Sequence, residues 1–163
     1  MSAQRFATSS GDETRSLGAA LAGVLAPGTT VALVGDLGAG KTALAQGLAA
    51  GLGVAERVTS PTFTMVASYA TDGRRGVELF LHADLYRVGS GAEAEDLAIG
   101  ELVEDAAIAA VEWGDLAPGA IGAERVVVRL LVGSGEDERV VEIEPGPLEP
   151  EVLAGALEPW RVR

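Results

Sequence analysis

The stretch Gly35-Asp36-Leu37-Gly38-Ala39-Gly40-Lys41-Thr42 leaves this chain few folds to choose from. It matches G-x-x-x-x-G-K-[ST], a loop that wraps the phosphates of a nucleoside triphosphate. Thr30-Val31-Ala32-Leu33-Val34 before it reads as a short buried strand. The residues after it read as a helix, with Leu44, Leu48 and Leu52 on one stripe. Strand, glycine loop and helix, in that order, are the context the motif requires. Glycine at 35, 38 and 40 allows conformations closed to residues with a Cβ, so that successive N–H groups turn inward. With the helix N-terminus near Gly40 they form an anion cradle. Lys41 is the only lysine, and the other eleven basic side chains are arginines. A compact ammonium stands where it must reach between phosphate oxygens, and the Thr42 hydroxyl is the candidate Mg²⁺ ligand. Asp36, Leu37, Ala39 and Ala43 complete the predicted nucleotide-binding stretch.

A chain of 163 residues is expected to form one nucleotide-binding domain over 1–163, with 145–163 as a tail that is a short helix or a loose segment. There is no cysteine, hence no disulfide framework and no thiolate metal site. The net charge of −12 is unevenly placed. Residues 1–82 carry six acids and six bases, whereas residues 83–163 carry eighteen acids and six bases. Such a surface is a poor match for a polyanion, so direct binding of nucleic acid is disfavoured unless a partner supplies it. Leu17 to Ala26 resembles the apolar segment of a secretory signal. Asp12 and Glu13 sit where that signal needs positive charge, and Leu17, Leu21 and Val24 make a helical stripe instead. Ser10-Gly11-Asp12-Glu13 has the spacing of a capping box that opens this helix. No apolar run is long enough to span a bilayer, and a soluble, cytoplasmic protein is expected.

Along the chain, the helix from Lys41 is expected to stop near Gly51-Leu52-Gly53. A proline-bent connector, Val58-Thr59-Ser60-Pro61-Thr62-Phe63, leads into a strand near Ala67 to Tyr69. Asp72-Gly73 turns the chain back into Val77 to Asp84, so this pair reads as an antiparallel hairpin. The acidic stretch 92–107 reads as helix. Ile108-Ala109-Ala110-Val111 is a buried central strand, and Arg125–Val132 with Arg139–Glu144 forms a last hairpin.

A triphosphate site also needs acids at the ends of apolar strands. Asp84 ends Leu79-Phe80-Leu81-His82-Ala83-Asp84 and is the candidate for the metal. Leu85 follows it, so a carboxylate that orients water must come from elsewhere. Glu112, at the end of the buried strand, is the best candidate, because the ligand crevice of an open α/β sheet lies outside such strand ends. Other residues carry two readings each. His82, the only histidine, shares a strand face with Asp84 and Tyr86 and is either a proton shuttle or an ordinary hydrogen-bonded core residue. Ser60 and Thr62 either offer hydroxyls to a γ-phosphate and its metal or belong to a plain proline loop. Trp113 stacks on the base or walls the core.

Together these pieces resemble the TsaE (YjeE) family of bacterial P-loop ATPases. The resemblance rests on Gly35 to Thr42, Val58 to Phe63, His82-Ala83-Asp84-Leu85-Tyr86-Arg87 and Val111-Glu112-Trp113, and runs from about Thr14 to Gly114. Ala43 departs from the second threonine of many members. The resemblance implies an α/β P-loop fold in three layers, a mixed central sheet flanked by helices. It implies ATP and Mg²⁺ as cofactors, with Lys41 and Thr42 on phosphate and metal, Asp84 and Glu112 serving metal and water, and Ser60 and Thr62 in a switch-like segment. It further implies a role in threonylcarbamoyl modification of adenosine 37 in tRNA, with TsaD and TsaB as partners and tRNA reached only through them. A small-molecule P-loop kinase is the alternative, with Arg74-Arg75 as its only hint. A GTPase that reads guanine through Asn-Lys-x-Asp would need a second lysine.

Overall fold

The computed structural model describes residues 3–36, 38–61, 66–85, 103, 106–112 and 125–163. Seven strands form one mixed sheet: β1 (Gln4–Thr8), β2 (Thr30–Val34), β3 (Val66–Ala70), β4 (Leu79–Asp84), β5 (Ala107–Glu112), β6 (Arg125–Val132) and β7 (Arg139–Glu144). Their order is β1-β7-β6-β2-β5-β4-β3. The centre, β6-β2-β5-β4, is parallel. The antiparallel hairpins β3–β4 and β6–β7 flank it, and β1 closes one edge against β7. β2 thus has a parallel neighbour on each side, and every residue of β5 is buried. Continuous apolar runs are what a strand covered on both faces demands.

One face is covered by α1 (Gly11–Ala22) and α2 (Lys41–Gly51), and by α3 (Pro150–Ala156), which the tail supplies. Leu17, Leu21, Leu44, Leu48, Leu153 and Leu157 pack there against Val31, Leu33, Ile108 and Val128. On the opposite face Ala32, Leu81, Ala83, Ala109 and Val111 form a second cluster with Leu85 and Val103. The predicted helix over 92–107 lies almost wholly outside the described residues. Among the described residues no helix is long and apolar enough to cross a membrane.

The predicted strands appear with shifts of one or two residues at their ends. β1 is an addition: it buries only Phe6 and Thr8, too short an alternation to stand out. Ser10 caps α1 as expected, its Oγ accepting from the Glu13 N–H at 3.1 Å. The other half of the capping box does not form, because the Glu13 carboxylate accepts from the Ser9 hydroxyl instead. α2 stops where predicted, with Gly53 at φ 77° donating to Ala50 O.

Arg75 is the one non-glycine residue with positive φ among those described, at 61°. Its guanidinium donates to Ala22 O and Leu25 O, both at 2.7 Å, and ties the β3–β4 turn to the end of α1. Arg74 pairs with Asp72, and hydrogen bonds from Arg74 hold the Asp72 carboxyl below its usual range.

α1 and α2 meet backbone to backbone. A Cβ on Gly47 would lie 2.1 Å from Arg15 O, and one on Gly18 would lie 2.6 Å from Leu44 O. This contact seats α2, and therefore the loop that precedes it. Gly47→Ala is expected to force the helices apart and to cost about 1–3 kcal/mol, as overpacking does. The melting temperature should fall by roughly 2–12 °C at 2–4 °C per kcal/mol. An unchanged melt would show that the helix pair does not need this close approach.

Candidate functional site

The loop between β2 and α2 departs from the middle of the parallel sheet. Gly38 (φ 81°) and Gly40 (φ 106°) take left-handed conformations that residues with a Cβ rarely adopt. Gly35 is required for a different reason: a Cβ there would lie 2.7 Å from Leu130 O on β6. Gly40 is the N-cap of α2; its O accepts the first intrahelical bond, from Leu44 N–H, and it supplies no side-chain cap to the N–H groups of the first turn. A helix start left in this way presents N–H groups and a partial positive charge to an anion.

Lys41 is 5 % exposed, and its Nζ donates to Gly35 O at 2.6 Å and to Asp36 O at 2.9 Å. The ammonium therefore folds back over the start of its own loop. The other side of the loop is held by Arg139 at the start of β7. Its Nε donates to Ala39 O at 3.0 Å and its Nη2 to Gly38 O at 3.2 Å. Nη1 holds Glu136 O and Glu138 O in the β6–β7 turn. Sequence reasoning missed Arg139. Its acceptors are backbone carbonyls a hundred residues away, and no local pattern marks them.

The strand ends bring the acids to the loop. β5 runs beside β2 with Leu33 paired to Glu112, and β4 runs beside β5 with Asp84 paired to Glu112. Asp84 and Glu112 thus stand at the same level on adjacent strands, at the edge where the loop leaves β2. Glu112 is 4 % exposed, and Asp84 is half-buried. Ser60 reaches the same place, its Oγ donating to Glu112 Oε2 at 3.2 Å. His82 Nε2 lies 2.7 Å from that same oxygen.

Of the predicted site residues, the structure brings together Asp36, Gly38, Ala39, Gly40, Lys41, Thr42 and Ala43 in the loop and first helical turn, and Ser60, Asp84 and Glu112 at the strand ends. Leu37, Thr62 and Trp113 lie outside the described residues. On the β6 side of the loop a cleft of about 490 Å³ is lined by Val34, Gly35, Asp36, Ala39, Leu130, Leu131 and Val132. Among the described residues there is no cluster of three or more His, Asp or Glu side chains that could by itself hold a metal.

The model of the TsaE family, described as threonylcarbamoyl adenosine biosynthesis protein TsaE, matches residues 8–141. The chain belongs to the TsaE family. A Bacillus subtilis relative named tRNA threonylcarbamoyladenosine biosynthesis protein TsaE is 35% identical over 137 residues, 84% of this chain and 82% of the relative. A relative of the same name from Streptomyces coelicolor is 42% identical over 127 residues, 76% of this chain and 84% of its own length. A crystal structure of Bacillus subtilis YdiB superposes with a TM-score of 0.73 at 29% identity, covering 96% of this chain and 95% of that one. The TsaE match runs past β6 and ends within β7, just after Arg139, beyond the stretch where the sequence motifs are distinctive.

Arg139→Ala removes both donors to Gly38 O and Ala39 O. Hydrogen bonds from a charged group contribute about 1.5–3 kcal/mol each when buried, and less in this partly exposed place. Amide exchange at Gly38, Ala39 and Gly40 is expected to quicken about tenfold or more, with β2 and β5 unchanged. Equal protection in the variant would show that the loop keeps its shape unaided.

Proposed function

We propose that the protein is a Mg²⁺-dependent ATPase that serves threonylcarbamoyl modification of adenosine 37 in tRNA, working with TsaD and TsaB. One observation carries the reading of the site. The register of three parallel strands sets the phosphate-type loop, Glu112 and Asp84 side by side at one sheet edge. A loop that binds phosphate without chemistry has no need of two acids at that edge. The biological role rests on family membership and on the relatives' names.

Phosphoryl transfer depends on positioning and on charge stabilisation far more than on covalent chemistry by the protein. Bound Mg²⁺ would neutralise charge on the terminal phosphates, held through the Thr42 hydroxyl with Asp84 or Glu112 close by. Lys41 would exchange its hold on Gly35 O and Asp36 O for phosphate oxygens, and Glu112 would orient the attacking water and accept its proton. No dedicated arginine finger is apparent in the sequence, and a group supplied in trans is worth roughly 10³–10⁵ in rate. Weak turnover alone and faster turnover with TsaD and TsaB follow. The acidic second half suits a cytoplasmic protein that leaves tRNA to its partners.

The kinase alternative leaned on Arg74 and Arg75 as a lid. Arg74 pairs with Asp72, and Arg75 braces the end of α1, so neither is poised over the loop.

ATP at a hundredfold excess over Kd should add about 2.7 kcal/mol of stability, a rise in melting temperature of roughly 5–11 °C. Lys41→Ala should abolish that rise. Glu112→Gln should keep it and lose phosphate release, measured alone and with TsaD and TsaB. The reading fails if ATP with Mg²⁺ leaves the melt unmoved, or if Glu112→Gln turns over like the wild type.

A further inference from the structure

His82 lies in the middle of β4 and is fully buried. It is paired across the ladder with Ala110, and Glu112 lies two residues further along β5. Diagonal neighbours of this kind are within reach of a long side chain, and the methyl group of Ala110 leaves the imidazole room to reach along the strand. The result is the 2.7 Å contact between His82 Nε2 and Glu112 Oε2. An ionised carboxylate only accepts, and the matching tautomer of His82 is the one in which Nε2–H donates. The ring's other nitrogen, Nδ1, is buried without a hydrogen-bond partner among the described residues. The Phe80 ring lies on the same face, 6.4 Å from the imidazole.

An imidazole retained only for packing would be replaced without loss by an apolar ring or a leucine, which leave no nitrogen unsatisfied. An imidazole retained as a structural polar bridge would be anchored at both nitrogens. Among the described residues this one is anchored at a single point, and that point is the carboxylate beside the glycine loop. Ser60 donates to the same oxygen from the other side. With both donors on Oε2, the acceptor capacity left for a ligand belongs to Oε1.

We propose that His82 is a positioning residue that locks the Glu112 carboxylate by one oxygen and so leaves the other for the attacking water. The proposal rests on the ATPase reading of Glu112. It assigns His82 no proton shuttling, since its donor nitrogen is already committed to Glu112. Loss of an outer hydrogen-bond partner of this kind typically costs ten- to a hundredfold in activity.

Three variants test it. Gln places an N–H close to the position of Nε2, Asn places one only near Nδ1, and Leu supplies none. His82→Gln is expected to keep a third or more of kcat. His82→Asn and His82→Leu should lose tenfold or more in kcat, with KM for ATP and the ATP-induced melting shift unchanged within about twofold. Retained kcat in His82→Leu, equal loss in all three variants, or loss carried by KM would overturn the proposal.

Should the variants fold poorly, the wild type still decides. With one histidine in the chain, a two-bond ¹H–¹⁵N spectrum reads its tautomer without assignment. The Nε2–H form is expected, with ring shifts that move in Glu112→Gln. An Nδ1–H form, or shifts blind to Glu112→Gln, would refute the locking contact. Undiminished turnover in Glu112→Gln would instead defeat the ATPase role of Glu112, while the spectrum still reports whether His82 grips it.

Discussion

A backbone loop shaped to receive an anion has an unfavourable outer side. Turning N–H groups toward one point turns carbonyl groups away from it, and carbonyls that are removed from water need donors. In this chain two cations meet that need. Lys41 takes Gly35 O and Asp36 O, and Arg139 takes Gly38 O and Ala39 O. Positive charge thus holds the start and the middle of the loop, beside the N-terminus of α2.

This hold explains why distant parts of the chain matter to one octapeptide. Arg139 acts on the loop only because β7 is fixed, and β7 is fixed by β6 on one side and β1 on the other. Lys41 sits at the start of α2, whose height over the sheet is set by the glycine contact with α1. The N-terminal strand and the last hairpin, which show no motif, therefore frame the site from outside it.

The sequence made the centre of the fold legible and its periphery only in part. β2, its loop and α2 could be read because apolar run, glycine spacing and helical stripe agree over twenty residues. β6 and β7 could be read from alternation across a glycine turn. β1 could not, since one phenylalanine and one threonine carry its entire pattern. The helix stop at Gly51-Leu52-Gly53 was legible, and Gly53 takes the left-handed conformation there; the close approach at Gly51, where a Cβ would lie 2.6 Å from Ala19 O, was not. Glu112 was legible as a candidate because a charged residue ending an apolar strand is conspicuous. Its partners were not, since His82 and Ser60 lie 30 and 52 residues away and only strand register joins them.

That register also explains why the acid comes from β5 and does not follow Asp84 directly. Side chains alternate along a strand, and the residue after Asp84 points to the far face, where Leu85 is buried with Leu81, Ala83 and Val111. A glutamate at 85 would enter that apolar layer, away from the loop. The adjacent strand offers the same level on the correct face, and Glu112 occupies it while its O accepts from Leu85 N–H at 3.1 Å. The arrangement sets two acids about one strand spacing apart.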